Sequence, residues 1–267
     1  MIYFVSTPIG NLKDITLRAI EILKSVDIIA CEDTRTSKIL LDKYEISSRL
    51  ISYHKFNEME SSNNIIKLAN EGKNIAIISD AGMPVISDPG NILTKKLVEN
   101  NLEFTVVPGA NAALSALILS GFDARNFFFA GFLPEKNTEK DCLLSEICLL
   151  KSSLIFYLSP HNIDKDLQYL HKKLGSRRAC LVKEITKLHE SKCFFNLGEM
   201  PNIVLKGEFV LIVDGKQDDV HDELSIKDHV LFYINLGLSK NDAIKKVAKE
   251  KNVAKNEIYK EVLNLKG

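Results

Sequence analysis

The chain alternates short, strongly apolar runs with amphipathic stretches, and most of those runs end in a loop of Pro, Gly and acidic residues. In the first half the runs are Ile2–Ser6, Ile28–Cys31, Leu50–Tyr53, Ile75–Ser79 and Phe104–Val107. Each reads as a buried strand. The segments between them have helical periodicity. Thr16–Ser25 sets Leu17, Ile20, Ile22 and Leu23 against Arg18, Glu21 and Lys24, and Met59–Gly72 and Asn91–Asn100 behave alike. Strand–helix–strand alternation of this kind predicts an α/β fold with a mostly parallel sheet and helices on both faces.

Beyond Phe122 the rhythm changes. Phe127–Gly131, Leu154–Leu158, Arg178–Lys183, Lys192–Gly198 and Glu208–Asp214 are expected strands, with helices at Thr138–Leu150 and Asn162–Leu174. The runs near 180 and 194 leave no room for a helix between them, so this sheet is predicted to be mixed. A boundary is placed near residues 111–123. The expected domains are 1–115 (mostly parallel sheet), 116–222 (mixed sheet) and 223–267 (a helical appendix resembling a helix-turn-helix). Residues 227–267 hold nine Lys and five acids. Ser239 and Asp242 start one helix there as Ser-x-x-acid, and Lys255–Leu265 forms another. A small cap that packs on the body explains the appendix as well as a nucleic-acid contact does.

Composition narrows the functional classes. Hydrophobic residues are 45% and charged residues 26% of 267, the balance of a soluble globular protein. Lys+Arg and Asp+Glu are both 35, which excludes a uniformly basic nucleic-acid coat but not a local basic patch. The longest uncharged stretch, Phe104–Phe122, is interrupted by Pro108 and Gly109, so no membrane span is expected. The start, Met1-Ile2-Tyr3-Phe4, lacks the basic region of a secretory signal. The five cysteines are an odd number without C-x-x-C spacing. Reduced thiols, a cytoplasmic location and no metal site are the expectation.

No two of the thirteen glycines lie two, four or five positions apart. G-x-G-x-x-G, G-x-S-x-G and the Walker A loop are therefore all absent, and ordinary dehydrogenase, serine hydrolase and ATPase readings fall away. Four strands nonetheless end in conformationally special loops: Thr7–Asp14, Glu32–Arg35, Asp80–Gly90 and Pro108–Ala112. In a parallel sheet all four leave at one edge, where ligands bind. Glu32-Asp33 is the densest acidic pair there. It fits a helix cap for Thr34–Lys43, or a carboxylate that positions a hydroxyl or accepts its proton. In the second half Glu184, Lys187 and His189 place acid, base and imidazole in one loop.

These loops carry a resemblance. Thr7-Pro-Ile-Gly-Asn-Leu, Glu32-Asp-Thr-Arg, Ser79-Asp-Ala-Gly-Met-Pro-Val-Ile-Ser-Asp-Pro-Gly and Pro108-Gly-Ala-Asn-Ala resemble the tetrapyrrole methylase superfamily, and within it the branch that acts on ribosomal RNA. Gly131-Phe-Leu-Pro, Phe156-Tyr-x-Ser-Pro-His, Glu184-Ile-Thr-Lys and Gly207-Glu-Phe-Val-Leu-Ile-Val-Asp-Gly follow in the same order. The chain departs from the family pattern at Leu158, usually an acid, and at Asn162 and Lys183, usually arginines.

The resemblance implies two α/β domains with a cleft between them, typically as a homodimer, and an S-adenosylmethionine-dependent enzyme. Its substrate would be 16S ribosomal RNA or the small subunit, methylated on a cytidine ribose 2′-oxygen in the decoding region. Pro8, Gly10, Asp80, Ala81, Gly82, Val85, Pro108, Gly109 and Ala110 would hold the cofactor. Glu32, Asp33, Glu184 and Lys187 are the candidates to orient or deprotonate the hydroxyl, with no choice among them. Arg35, Arg177, Arg178 and Lys183 would meet the RNA. No metal is needed, because the leaving group departs neutral. A methylase of a tetrapyrrole precursor and a non-catalytic ligand sensor that binds nucleic acid are the competing readings.

Overall fold

Ten apolar runs form two five-stranded sheets. The computed structural model describes residues 1–216, 225–235, 237–251 and 253–262. The first sheet contains β1 (Ile2–Val5), β2 (Ile28–Cys31), β3 (Arg49–Ser52), β4 (Ile75–Ile78) and β5 (Phe104–Val107), ordered β3-β2-β4-β1-β5 and parallel throughout. Residues two apart face the same side of a strand. Ile2, Phe4, Ile28, Ala30, Ile75 and Ile77 accordingly meet α3 (Glu58–Asn70) and α4 (Asn91–Glu99) through Ile65, Leu93 and Leu97. Val5, Ile29, Cys31, Ala76 and Ile78 meet α1 (Leu17–Ser25) and α2 (Thr34–Lys43) through Ala19, Leu23 and Leu41 on the opposite face. Side-chain caps set the helix starts: Thr16 accepts from the Ala19 N–H at 3.1 Å, and Asp33 accepts from the Arg35 N–H at 2.8 Å.

The second sheet contains β6 (Phe127–Phe132), β7 (Ser153–Leu158), β8 (Arg178–Lys183), β9 (Ser191–Asn196) and β10 (Phe209–Val213), ordered β6-β7-β10-β8-β9. Only β6 and β7 run parallel. The sheet is mixed because β8 and β9 are joined too closely for a crossover helix. Its two faces are also both covered. Phe156, Leu154, Leu181 and Leu211 pack beneath α6 (Asn137–Ile147) and α7 (Ile163–Leu174). Ile155, Cys180, Val182, Val210 and Ile212 pack beneath α5 (Ala112–Ser120). The loop that enters α5 comes from the first sheet, yet its buried face belongs to the second. A division after residue 115 passes through this helix.

Both sheets lie in one compact unit, Met1–Gly215, and residues 216–267 form another. The second unit holds α8 (Ile226–Asn235), α9 (Lys240–Glu250) and α10 (Lys255–Glu261) around Val230, Tyr233, Ile244, Val247 and Ile258. Ser239 accepts from the Asp242 N–H at 3.2 Å, the cap expected for α9. The expected start of the appendix at 223 and the last residues of its final helix fall outside the described residues. Among the described residues no helix is long and apolar enough to cross a membrane.

Candidate functional site

The parallel first sheet sends the loops after β1, β2, β4 and β5 out at one edge. Two of them are clasped together. The Thr7 N–H donates to the Gly82 carbonyl at 2.8 Å and the Gly82 N–H returns a bond to the Thr7 carbonyl at 3.2 Å. The Thr7 hydroxyl adds a bond to the Ser79 carbonyl at 3.1 Å. Two glycines beside the clasp leave little room for a side chain. A Cβ on Gly109 would stand 2.9 Å from the Ser6 Cβ. Gly82 has φ +83°, and a Cβ there would stand 3.2 Å from Ile9 Cγ2.

Two cavities flank this clasp. The first, of about 320 Å³, has an apolar lining of Ile9, Met83, Ile86, Phe132, Tyr157, Phe209 and Val210. Ser87, Asp88, Asn111 and Ser159 are its polar points. The second, of about 250 Å³, lies among Pro8, Gly10, Leu12, Thr36, Ser37, Ile39, Asp80 and Lys187. Ile9, Ala81 and Glu208 line both. Loops of both sheets therefore build the site.

The loops are held in uncommon conformations. Val85 has φ +77° and Ser87 φ +67°; across the cleft Glu184 has φ +51° and Thr186 φ +66°. A β-branched residue at positive φ is costly, on the order of 1–3 kcal/mol, and persists only where the surroundings over-determine it. Part of that determination is visible. The Glu58 carboxylate on α3 accepts from the Gly90 N–H at 2.8 Å and the Ile92 N–H at 3.0 Å. It thereby caps α4 from outside and fixes the end of the Asp80–Gly90 loop.

Carboxylates crowd the inner edge. Burial, then the charges of Asp88 and Asp80, raises the Glu32 pKa. Burial also raises Asp80, eased by the Asp33 N–H that donates to it at 3.1 Å. Asp88 is raised by burial and by Asp80, against a Ser79 hydroxyl that favours its charge. A carboxyl whose pKa is raised on folding binds its proton more readily in the native state. Its penalty is present above the folded pKa and disappears as the pH falls toward the unfolded value. Asp88→Asn is therefore expected to raise the melting temperature at pH 7, with the gain shrinking toward pH 4, and to weaken ligand binding in the first cavity. Thermal scans of both proteins across that range check it; a lower melting temperature at pH 7 would contradict the stated cause.

The expected residues separate by place. Asp33 caps α2 and pairs with Arg35 at 2.6 Å, which holds its carboxyl down to about 2. Glu184 is lowered chiefly by the Glu208 N–H, which donates to it at 2.8 Å. Burial opposes the charge of Lys187, but Glu208 at 2.8 Å and Glu184 at 3.0 Å outweigh it and keep the ammonium above its ordinary pKa. Ala81 and Gly82 line the first cavity, and Pro8, Gly10, Asp80, Ala81 and Lys187 line the second. Val85, Pro108, Gly109 and Ala110 line neither cavity. Glu32 is near the carboxylates Asp80 and Asp88 but lines neither cavity.

The basic residues are scattered. Arg35 is exposed beside Asp33. Lys183 closes β8 and donates to the Val204 carbonyl at 3.0 Å. Arg178 opens the same strand, roughly 17 Å away at ~3.3 Å per residue, and its guanidinium lies 5.3 Å from the Phe122 ring centroid. Arg177 corrects the expectation of a basic RNA contact. It is buried, donating to the Leu174 carbonyl at 3.1 Å and to the Cys148 carbonyl, so it ties α6 and α7 to the start of β8.

Asp88, Phe132, Tyr157, Ser159 and Glu208 line the first cavity without standing out in the sequence as site residues. Each lies inside a quoted motif, and the shared sheet edge was the available signal for the first. Glu208 needed the register of β10, which sets Phe209 opposite Lys183 and so brings Glu208 beside Glu184.

Known proteins are similar to this chain. A family model described as Tetrapyrrole (Corrin/Porphyrin) Methylases matches residues 1–201. Ribosomal RNA small subunit methyltransferase I of Bacillus subtilis (strain 168) is 42% identical over 273 residues, covering 97% of this chain and 92% of that protein. The protein of the same name from Mesomycoplasma conjunctivae (strain ATCC 25834 / NCTC 10147 / HRC/581) is 45% identical over 227 residues, covering 81% of this chain and 92% of its own. Among solved structures, a diphthine synthase superposes with a TM-score of 0.64 at 12% identity, over 80% of this chain and 89% of its own. The uroporphyrin-III-C-methyltransferase from Thermus thermophilus superposes with a TM-score of 0.58 at 19% identity, over 80% and 93%. At such identities the two structures show a common fold.

Proposed function

Since this chain belongs to the tetrapyrrole methylases, we propose that it methylates the ribose 2′-oxygen of a cytidine in the decoding region of small-subunit ribosomal RNA. The observation that carries this reading is near-full-length identity, at 42%, to a protein named for ribosomal RNA small-subunit methylation. The resemblance of the motifs supplies the cytidine, the 2′-oxygen and a homodimer, and the unpaired cysteines support a cytoplasmic setting.

S-adenosylmethionine is the methyl donor, and it supplies a methyl group on a positively charged sulfur, ready for in-line displacement. The first cavity fits such a molecule. Its volume is in the range of small-molecule sites, roughly 300–1,000 Å³, and its lining is mostly apolar with a few polar points. Phe132, Tyr157 and Ile86 would hold a purine ring and exclude water. The Asp88 carboxylate, kept in a partly buried place, would take an ammonium group, and Asn111 and Ser159 would take hydroxyls.

The chain's own residues then have separable tasks. The Thr7–Gly82 clasp and the Glu58 cap hold the loops so that the acceptor oxygen can be presented in line; orientation of this kind can supply up to roughly 7–11 kcal/mol. Lys187, held protonated between Glu184 and Glu208 and lining the second cavity, would fix the Glu208 carboxylate in place. Arg35 and the lysine-rich helical unit supply positive charge for the RNA polyanion.

The test is to incubate small ribosomal subunits with the protein and donor and to map ribose methylation. One modified cytidine in the decoding region is the expected result. Methylation of a base, of a distant site, or of uroporphyrinogen in place of RNA would overturn the reading.

A further inference from the structure

Methyl transfer joins two ligands at one point, so the reacting oxygen must lie where their binding spaces meet. The two cavities share a wall of only three residues, Ile9, Ala81 and Glu208. The first two offer no proton acceptor on their side chains. We propose that Glu208 is the catalytic residue that receives the proton of the acceptor hydroxyl, an inference that rests on the methyltransferase reading above. It does not depend on which cavity holds donor and which holds acceptor.

Local structure fixes Glu208 well for this task. Its backbone is bonded to Glu184 in both directions: the Glu208 N–H donates to Glu184 Oε1 at 2.8 Å, and the Glu184 N–H donates to the Glu208 carbonyl at 3.0 Å. Gly207, at φ +110°, lets the Glu184 carboxylate lie against the chain; a Cβ there would stand 2.7 Å from Glu184 Oε1. Lys187 then grips one side-chain oxygen, Oε2, at 2.8 Å. Its stem crosses Gly10, where a Cβ would stand 2.6 Å from Lys187 Cγ. The other oxygen, Oε1, has no partner among the described residues, and the side chain is 74% exposed. One oxygen is anchored and the other is open to a ligand.

The remaining titratable groups are less well placed. Asp88 lines only the first cavity, Asp80 and Lys187 only the second, and Glu32, Asp33 and Glu184 neither. In the step itself the acceptor oxygen forms its bond to the methyl carbon as the carbon–sulfur bond breaks, and sulfur keeps that electron pair. The hydroxyl proton passes to Glu208 Oε1 and from there to water. Proton removal of this kind contributes about 10²–10⁴-fold.

Glu208→Gln keeps the shape and removes the basicity. With small subunits as acceptor, its kcat is expected to fall at least ~100-fold, while donor affinity by calorimetry stays within about twofold. The acid limb of the wild-type kcat–pH profile is expected to vanish, and Glu208→Asp to fall between the two. A Glu208→Gln kcat within about twofold of wild type overturns the proposal. So does a loss of donor affinity that matches the loss of rate, because Glu208 would then be a binding residue. Wild-type turnover on small subunits tests the functional reading separately: if another hydroxyl proves to be the acceptor, that reading falls and the same comparison is run on that acceptor. Absence of wild-type turnover on any hydroxyl overturns both.

Discussion

Gly82→Val is expected to weaken donor binding about a hundredfold while leaving the protein folded. Gly82 sits at φ +83° and trades two backbone hydrogen bonds with Thr7. Valine at that dihedral costs on the order of 1–3 kcal/mol, and its Cβ would press on Ile9 Cγ2 at 3.2 Å. The loop can escape by opening the clasp, which enlarges and reshapes both cavities at once. The cost then appears as a smaller fraction of binding-competent molecules, and about 2.7 kcal/mol corresponds to a factor of ~100 in apparent affinity. Ile9 belongs to the core beneath α5, but the strain is relieved by movement of the loop, so a cooperative melt is expected to remain. Calorimetric titration with S-adenosylmethionine measures the effect. Wild-type affinity in the variant would mean that the clasp does not shape the donor site.

The largest loss of stability is expected from Phe156→Ala. Phe156 lies in the middle of β7 with no exposure, under α6 and α7 among Leu144, Ile147, Leu167 and Leu170. Truncating a buried phenylalanine costs about 3–5 kcal/mol, through lost transfer energy and an unfilled cavity. At ~2–4 °C per kcal/mol for a chain of this size, the melting temperature should drop on the order of 10 °C. Denaturant melts at constant slope separate this from a change in the unfolded state. A difference below ~1 kcal/mol would mean that the helices collapse onto the gap.

Much of this architecture was legible in the apolar runs. Ile28–Cys31 and Phe104–Val107 occupy their expected residues, because dense β-branched and apolar residues between turn signals leave little freedom of placement. β3 starts one residue earlier than expected, at Arg49, since an edge strand tolerates a charged end. The convergence of the loops followed from parallel strand direction alone. Other features had no local signal. Val85 is among the residues least suited to φ +77°, so composition argued against the conformation it adopts. Arg177 and Arg178 are neighbours in sequence, yet one is buried against backbone carbonyls and the other is exposed. That difference depends on where the strand begins. Glu208 shows only as an acid before an apolar run until the antiparallel register places it beside Glu184 and Lys187.

Helix α5 has a consequence for anyone who wishes to dissect the molecule. Its sequence follows the last strand of the first sheet, but its apolar side covers Ile155, Cys180, Val182, Val210 and Ile212. A fragment beginning after this helix would carry a bare, greasy sheet face into water and would be prone to clump. A fragment ending with it would carry a sticky rod with nothing to rest on. The two halves are thus interdependent in production as well as in chemistry, and the molecule should be expressed as one piece through Gly215.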